Sequence, residues 1–253
     1  MNEKFIGFFR LLSACRAPRC PICACLAEDN RRALDAILHD HVTDPETRRE
    51  LYAAWGFCNW HATTLVGGSG GVTGAAILFE DLLRRCGERF TRCSPLVGRP
   101  PSLWARLAAA VTSGWSRPAS VVDEYTGRSR CRVCVRLAQS GRVYVAAVVR
   151  FADDDEFTTA YAGSVGLCVP HLAAVVAEGR GAASVGALVG TTLRKWDALR
   201  ADLSSFVRKH EYRATEAIND AEAEASRRAA EALTGLPHLF GNDLPRAGRI
   251  PET

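Results

Sequence analysis

A pattern of metal-ligand residues occurs twice in this chain and constrains its fold more than any other feature. Cys20 and Cys23 form a Cys-x2-Cys pair, and Cys58 and His61 a Cys-x2-His pair, with 34 residues between the two pairs. The arrangement returns at Cys131, Cys134, Cys168 and His171, with 33 residues between. Thiolates and imidazoles at this spacing suit a tetrahedral zinc ion, and four protein ligands leave no open coordination position. The sequence therefore predicts two closed, structural Cys3His sites. The simplest assignment gives each ion the four ligands of one repeat, Cys20/Cys23/Cys58/His61 and Cys131/Cys134/Cys168/His171. Exchange of pairs between the repeats is the alternative that the sequence leaves open. Thiolates also suit iron, so an iron–sulfur cluster is the alternative cofactor.

The repeat extends beyond the ligands. The offset is 111 residues from Cys20 to Cys131 and 110 from both Cys58 to Cys168 and His61 to His171. Gly74–Leu78 aligns with Gly186–Gly190 at 112. Each copy reads as a Cys-x2-Cys knuckle, a helix, an acidic turn, a second helix ending at Gly-Phe-Cys or Gly-Leu-Cys, a helix begun by Cys-x2-His, and a longer amphipathic helix. Thr43-Asp44-Pro45-Glu46 offers a cap, a proline near the first helical position and a glutamate three residues after the threonine. Asp153 to Glu156 places negative charge at the equivalent helix start. Gly56 and Gly166 stand where a helix would end in a left-handed residue. Arg142 to Val149 has the composition of a strand, but its place in the repeat makes it helix. The expected fold is all-α and internally duplicated. By sequence, residues 1–90 are the first repeat and 91–130 a proline-containing linker with a short helix at Ser102 to Val111. Residues 131–205 are the second repeat, and 206–253 a charged helix and tail, loose from Leu236 onward.

Composition matters chiefly for compartment. Six of the ten cysteines fall into ligand motifs. The N-terminal apolar stretch is interrupted at Arg10, which suits a short amphipathic helix better than a secretory segment or a membrane span. Reduced thiols in the cytoplasm, and metal rather than disulfides, are the expectation. A net charge of +4 is too mild to argue for nucleic acid or a membrane surface.

Outside the ligand pairs, Cys15, Cys25, Cys86 and Cys93 read as buried or incidental thiols, with Cys25 near enough to the first pair to substitute as a ligand. His39 and His41 suit a solvated helix end. Trp55, Trp60, Trp104, Trp115 and Trp196 suit core or ligand-shell packing, and Trp60, between two ligands, is placed to shield a metal. Gly67 to Gly71 lacks the Lys-Ser/Thr of a phosphate loop, and no nucleophile elbow or zinc-protease motif is present.

Cys20-Pro21-Ile22-Cys23, Asp44 to Arg48, and Gly56-Phe57-Cys58-Asn59-Trp60-His61 together resemble an uncharacterised bacterial family of Cys-x2-Cys…Gly-Phe-Cys-x2-His proteins, a domain of unknown function. Phe206 to Arg213 resembles that family's C-terminal Arg-Lys-x2-Tyr-Arg segment. Where the family often continues with a Trp-Gly-type stretch, this chain has Ala214 to Ile218. The resemblance implies architecture and no established activity. The expected function is a zinc-stabilised helical interaction or regulatory module with a protein partner, non-enzymatic and not directed at nucleic acid. Redox or electron transfer through iron–sulfur or thiol chemistry is the alternative.

Overall fold

The computed structural model describes residues 3–67, 72–97, 121–211 and 215–239. Among these there are twelve helices and no strand. They are α1 (Ile6–Ala14), α2 (Pro21–His39), α3 (Pro45–Ala53), α4 (Asn59–Gly67), α5 (Val72–Val97), α6 (Val121–Thr126), α7 (Arg132–Arg150), α8 (Asp155–Gly163), α9 (Val169–Glu178), α10 (Ala183–Lys209), α11 (Asp220–Ala223) and α12 (Ala225–Thr234). The run α2 to α5 has lengths 19, 9, 9 and 26, and the run α7 to α10 has 19, 9, 10 and 27. Arg142 to Val149 is helical, as its register predicts, and lies within α7. The helix expected at Ser102 to Val111 lies outside the described residues, as do Trp104 and Trp115.

Local chemistry explains where the helices begin and end. Asp44, rather than Thr43, caps α3. Its carboxylate accepts the Thr47 N–H at 2.7 Å, and Pro45 takes the first helical position, where its missing N–H costs nothing. Asp154 caps α8 by accepting from the N–H groups of Glu156 and Phe157, each at 3.1 Å. Gly56 (φ +101°) and Gly166 (φ +85°) carry the chain out of the helices in the left-handed region. Helix α10 ends at Lys209, and after the break α11 begins under a capping box. There Asn219 accepts from the Glu222 N–H, and the Glu222 side chain accepts from the Asn219 N–H. At the start of the expected loose tail Leu236 and Leu239 are buried, and residues 240–253 lie outside the described residues.

The chain forms two compact units that do not follow sequence order. Among the described residues, one contains residues 3–32 and 136–239 and the other those between 33 and 135. The divisions fall inside α2 and α7. In the first unit Phe8, Leu11, Val148, Phe151, Phe157 and Tyr161 are nearly inaccessible to solvent. Phe8 meets Phe151 at 4.6 Å between ring centroids, and Lys4 pairs with Glu156 at 2.7 Å, so α1 is fastened beside the start of α8. Arg10 reaches Asp29 at 2.8 Å and also bonds Tyr144, tying α1 to α2 and α7. The second unit buries Ile37, Leu51, Leu65, Leu78 and Val133. Gly74 lets α5 approach α2 closely, because a Cβ there would stand 2.6 Å from the Leu38 carbonyl oxygen. No helix among the described residues is long and apolar enough to cross a membrane.

Candidate metal centres

All four ligand pairs stand at helix N-termini. The carbonyls of Cys20, Cys58, Cys131 and Cys168 accept the first-turn bonds from Ala24, Ala62, Val135 and Leu172, at 2.9, 2.9, 3.1 and 2.8 Å. The first ligand of each pair therefore occupies the cap position, and the second, three residues on, lies in the first turn on the same face. The Cys-x2-Cys pairs are thus part of α2 and α7 rather than knuckles ahead of them. This placement suits thiolates, because unpaired N–H groups and the positive end of the helix dipole favour negative charge.

The pairs converge in two sets, and the sets cross the repeats. Cys20 and Cys23 meet Cys168 and His171, while Cys58 and His61 meet Cys131 and Cys134. This corrects the simplest assignment by sequence, one ion per repeat. The reason is length. A 19-residue helix, α2 or α7, is about 28 Å long, and the nine-residue helix after it, α3 or α8, only about 13 Å. Each repeat's Cys-x2-His meets the other repeat's Cys-x2-Cys.

Within each set the four ligand atoms all lie within 4.8 Å of one another. In the first, Cys23 Sγ is 3.7 Å from Cys168 Sγ, and His171 Nδ1 is 3.5, 3.4 and 3.2 Å from the sulfurs of Cys20, Cys23 and Cys168. In the second, Cys58 Sγ is 3.6 Å from Cys134 Sγ, and His61 Nδ1 is 3.2, 3.5 and 3.4 Å from the sulfurs of Cys58, Cys131 and Cys134. A tetrahedron with metal–sulfur bonds near 2.3 Å and a metal–nitrogen bond near 2.0 Å has S···S edges of about 3.8 Å and S···N edges of about 3.5 Å. Both sets match those edges to within a few tenths of an ångström and could hold a metal ion. All the ligands are buried except Cys58, which is half-buried.

The electrostatics of the two Cys-x2-Cys pairs match. Burial works against charge on Cys20, yet hydrogen bonds from Cys168, Cys23 and His171 outweigh it and hold Cys20 well below the usual thiol range. Hydrogen bonds from Cys134 and Cys58 do the same for Cys131 against its burial. Their i+3 partners shift upward. Cys23 is raised by its bonds to Cys168 and Cys20, and Cys134 by its bonds to Cys131 and Cys58, with burial adding to both. The bond to Cys20 also pushes Cys168 up to about 12, against the pull of Cys23. Burial would lower His61, but bonds with Cys131 and Cys58 raise it to about 9. Charge is thus favoured on Cys20 and Cys131 at the helix caps, while Cys23 and Cys134 hold their protons more tightly. A divalent cation displaces those protons on binding.

Two supporting devices were not visible as motifs. Tyr52 and Tyr161, each shortly before a Cys-x2-His, bond a buried polar group on the following long helix. Tyr52 donates to Asp81, and the Tyr161 hydroxyl is 2.5 Å from Thr192 Oγ1. Asp81 and Thr192 are 111 residues apart, the repeat offset, and that would have been the signal. Around the turn before Cys168, Tyr161 accepts the Leu167 N–H at 3.2 Å, Ser164 Oγ accepts the Gly166 N–H at 3.1 Å, and Lys195 donates to the carbonyls of Ala162 and Ser164. In the second unit Trp55 also adopts a positive φ (57°), held against Phe90 and Tyr125 with the Arg89 guanidinium 4.5 Å over its ring.

The remaining candidates fall outside the sets. Cys15 and Cys25 are buried, their thiols pushed up by burial to about 11 and about 12, and Cys25 is not a ligand. Cys86 is half-buried, and Cys93 is outside the residues whose side chains are described. His39 is exposed at the end of α2. Trp60 is half-buried between Cys58 and His61. His210 closes α10, its Nδ1 2.9 Å from the Phe206 carbonyl oxygen, while Arg208 and Lys209 pair with Glu216 and Glu222.

The family model for a family of unknown function, DUF6062, matches residues 14–238, which span both ligand sets. The chain belongs to this family. No curated protein and no solved structure matches it. Membership in DUF6062 carries no activity with it, so the chemistry of the two sets is the ground for a functional reading.

Proposed function

We propose that the chain is a zinc-binding helical protein in which Cys20, Cys23, Cys168 and His171 hold one ion and Cys58, His61, Cys131 and Cys134 hold another. The carrying observation is the fit of both sets to the edges of a single-ion tetrahedron with all four corners protein-supplied. An iron–sulfur cluster would distribute its ligands over two or four irons, a wider spread than these sets have. With no corner left for water or substrate, the sites act structurally, each fastening two helix N-termini and contributing folding free energy. The matched element lengths and ligand offsets reflect an internal duplication. We place the protein in a reducing cytoplasm, where thiols stay available to metal. The role that follows is a non-enzymatic interaction or regulatory module for a protein partner.

Metal analysis of anaerobically purified protein, with a visible spectrum of the same sample, tests this. Two zinc per chain and no colour is the expected result. Iron with acid-labile sulfide and absorbance near 400 nm, the region expected of thiolate-bound clusters, would replace the reading with redox or electron transfer.

A further inference from the structure

Beside the first ligand set lies a pocket of about 230 Å³, roughly the space of eight water molecules in the liquid. Its walls are the turn leading into Cys20, the turn from Ser164 to Cys168, and parts of α10 and α12. Trp196 and Leu199 give it an apolar side.

Four charged side chains line it: Arg19, Lys195, Arg228 and Glu231. Two of them are already neutralised. Arg228 is 3.1 Å from Asp202, and Glu231 is 2.8 Å from Arg227. Lys195 donates to the carbonyls of Ala162 and Ser164 but meets no carboxylate among the described residues. Arg19 is half-buried and has neither a hydrogen bond nor an ion pair among the described residues. A cation held partly out of water without a partner carries a desolvation cost that an anion would relieve. An apolar wall with a few convergent polar groups is the usual form of a small-molecule site.

The geometry points to a binding site for a small organic carboxylate with an apolar body. Arg19 and the remaining N–H of Lys195 take the carboxylate, and Trp196 and Leu199 take the hydrocarbon. The planar guanidinium suits a carboxylate because it can bond both oxygens at once. The bland account is that the two cations only offset a divalent ion bound by three thiolates, which carries one net negative charge. That account predicts no ligand at all. The inference holds whichever metal fills the first set, but Cys20 and Cys168 belong to the pocket wall, so the metal content of every sample is measured alongside.

The test is calorimetric titration of the full-length, metal-loaded protein with phenylacetate and hexanoate, with phenylacetamide and inorganic phosphate as comparison probes. We expect saturable one-to-one binding of the carboxylates, at least tenfold weaker binding of the amide and of phosphate, and a tenfold loss in Arg19→Gln. Ala232→Phe, which fills the pocket, should abolish binding. Both variants should keep wild-type metal content and helicity. The inference is overturned if neither carboxylate binds saturably, if amide or phosphate binds as well as the carboxylates, or if the well-folded variants titrate like wild type.

Discussion

At the scale of single residues, the ligands owe their convergence to where they sit on helices. A cap residue and the residue three positions on share a face, so each pair arrives as a preset two-point clamp and two clamps complete a tetrahedron. Which clamps belong together can be read by counting metal. Cys20→Ser/Cys168→Ser damages one set only and should keep one ion per chain. Cys20→Ser/Cys58→Ser damages both sets and should keep none, by native mass spectrometry. Retention of one ion by the second double variant would mean the ligands pair within repeats. Gly166 is a second residue with little freedom. Its φ of +85° disfavours any side chain, and a Cβ there would stand 3.2 Å from Lys195 Cδ. Gly166→Ala should cost about 1–2 kcal/mol in chemical denaturation; an unchanged midpoint would remove the turn from the list of supports for Cys168.

At the scale of elements, single buried carboxylates tie long helices to short ones. Asp81 on α5 accepts from Arg48 at 2.8 Å and also from Tyr52 and Arg84, so one carboxylate joins α3 to α5. The end of α10 is fastened in a similar way. Glu222 receives Lys209 at 2.8 Å, Ser205 at 2.7 Å and the Asn219 N–H at 2.9 Å, and these bonds, with Lys209 the largest, lower its pKa to about 2. A carboxyl depressed on folding stabilises the fold above its unfolded pKa of roughly 4.3 and loses that contribution as pH falls towards its folded value. The attachment of α11 should therefore weaken between about pH 4.5 and pH 2. Glu222→Gln should be less stable than wild type at neutral pH, and the difference should shrink through that window in pH-dependent unfolding curves. A gap that stays constant with pH would mean that the side chain acts by packing alone.

At the scale of the whole molecule, the crossed sets make the two halves of the chain depend on one another. Each set takes one clamp from either side of the segment at 98–120, so neither half owns a complete native site. Fragments 1–110 and 111–253 expressed separately should show little helicity. When mixed with zinc they should recover helical signal and two ions per pair, by circular dichroism and metal analysis. If fragment 1–110 folds by itself around one ion, the crossing is not what holds the fold. Crossing also bears on cooperativity, since metal binding to such a set is coupled to folding and chelation should then melt structure as well as remove ions.

The sequence by itself determined the helical class, the order of the four helices in each repeat and the identity of all eight gathered residues. Those depend on local matters: caps such as Asp154, left-handed glycines such as Gly56 and Gly166, apolar periodicity, and an i, i+3 spacing that needs only one helical turn. Arg142 to Val149 shows the strength of that reading, because register overrode a strand-like composition. What only the tertiary structure decided was pairing. Cys23 is gathered not with Cys58, the nearer ligand along the chain, but with Cys168, 145 residues away, at 3.7 Å. The pocket beside Cys20, the burial of Leu236 and the partners of Asp81 and Thr192 belong to the same category. Each depends on surfaces that are distant along the chain and become adjacent only when the helices pack.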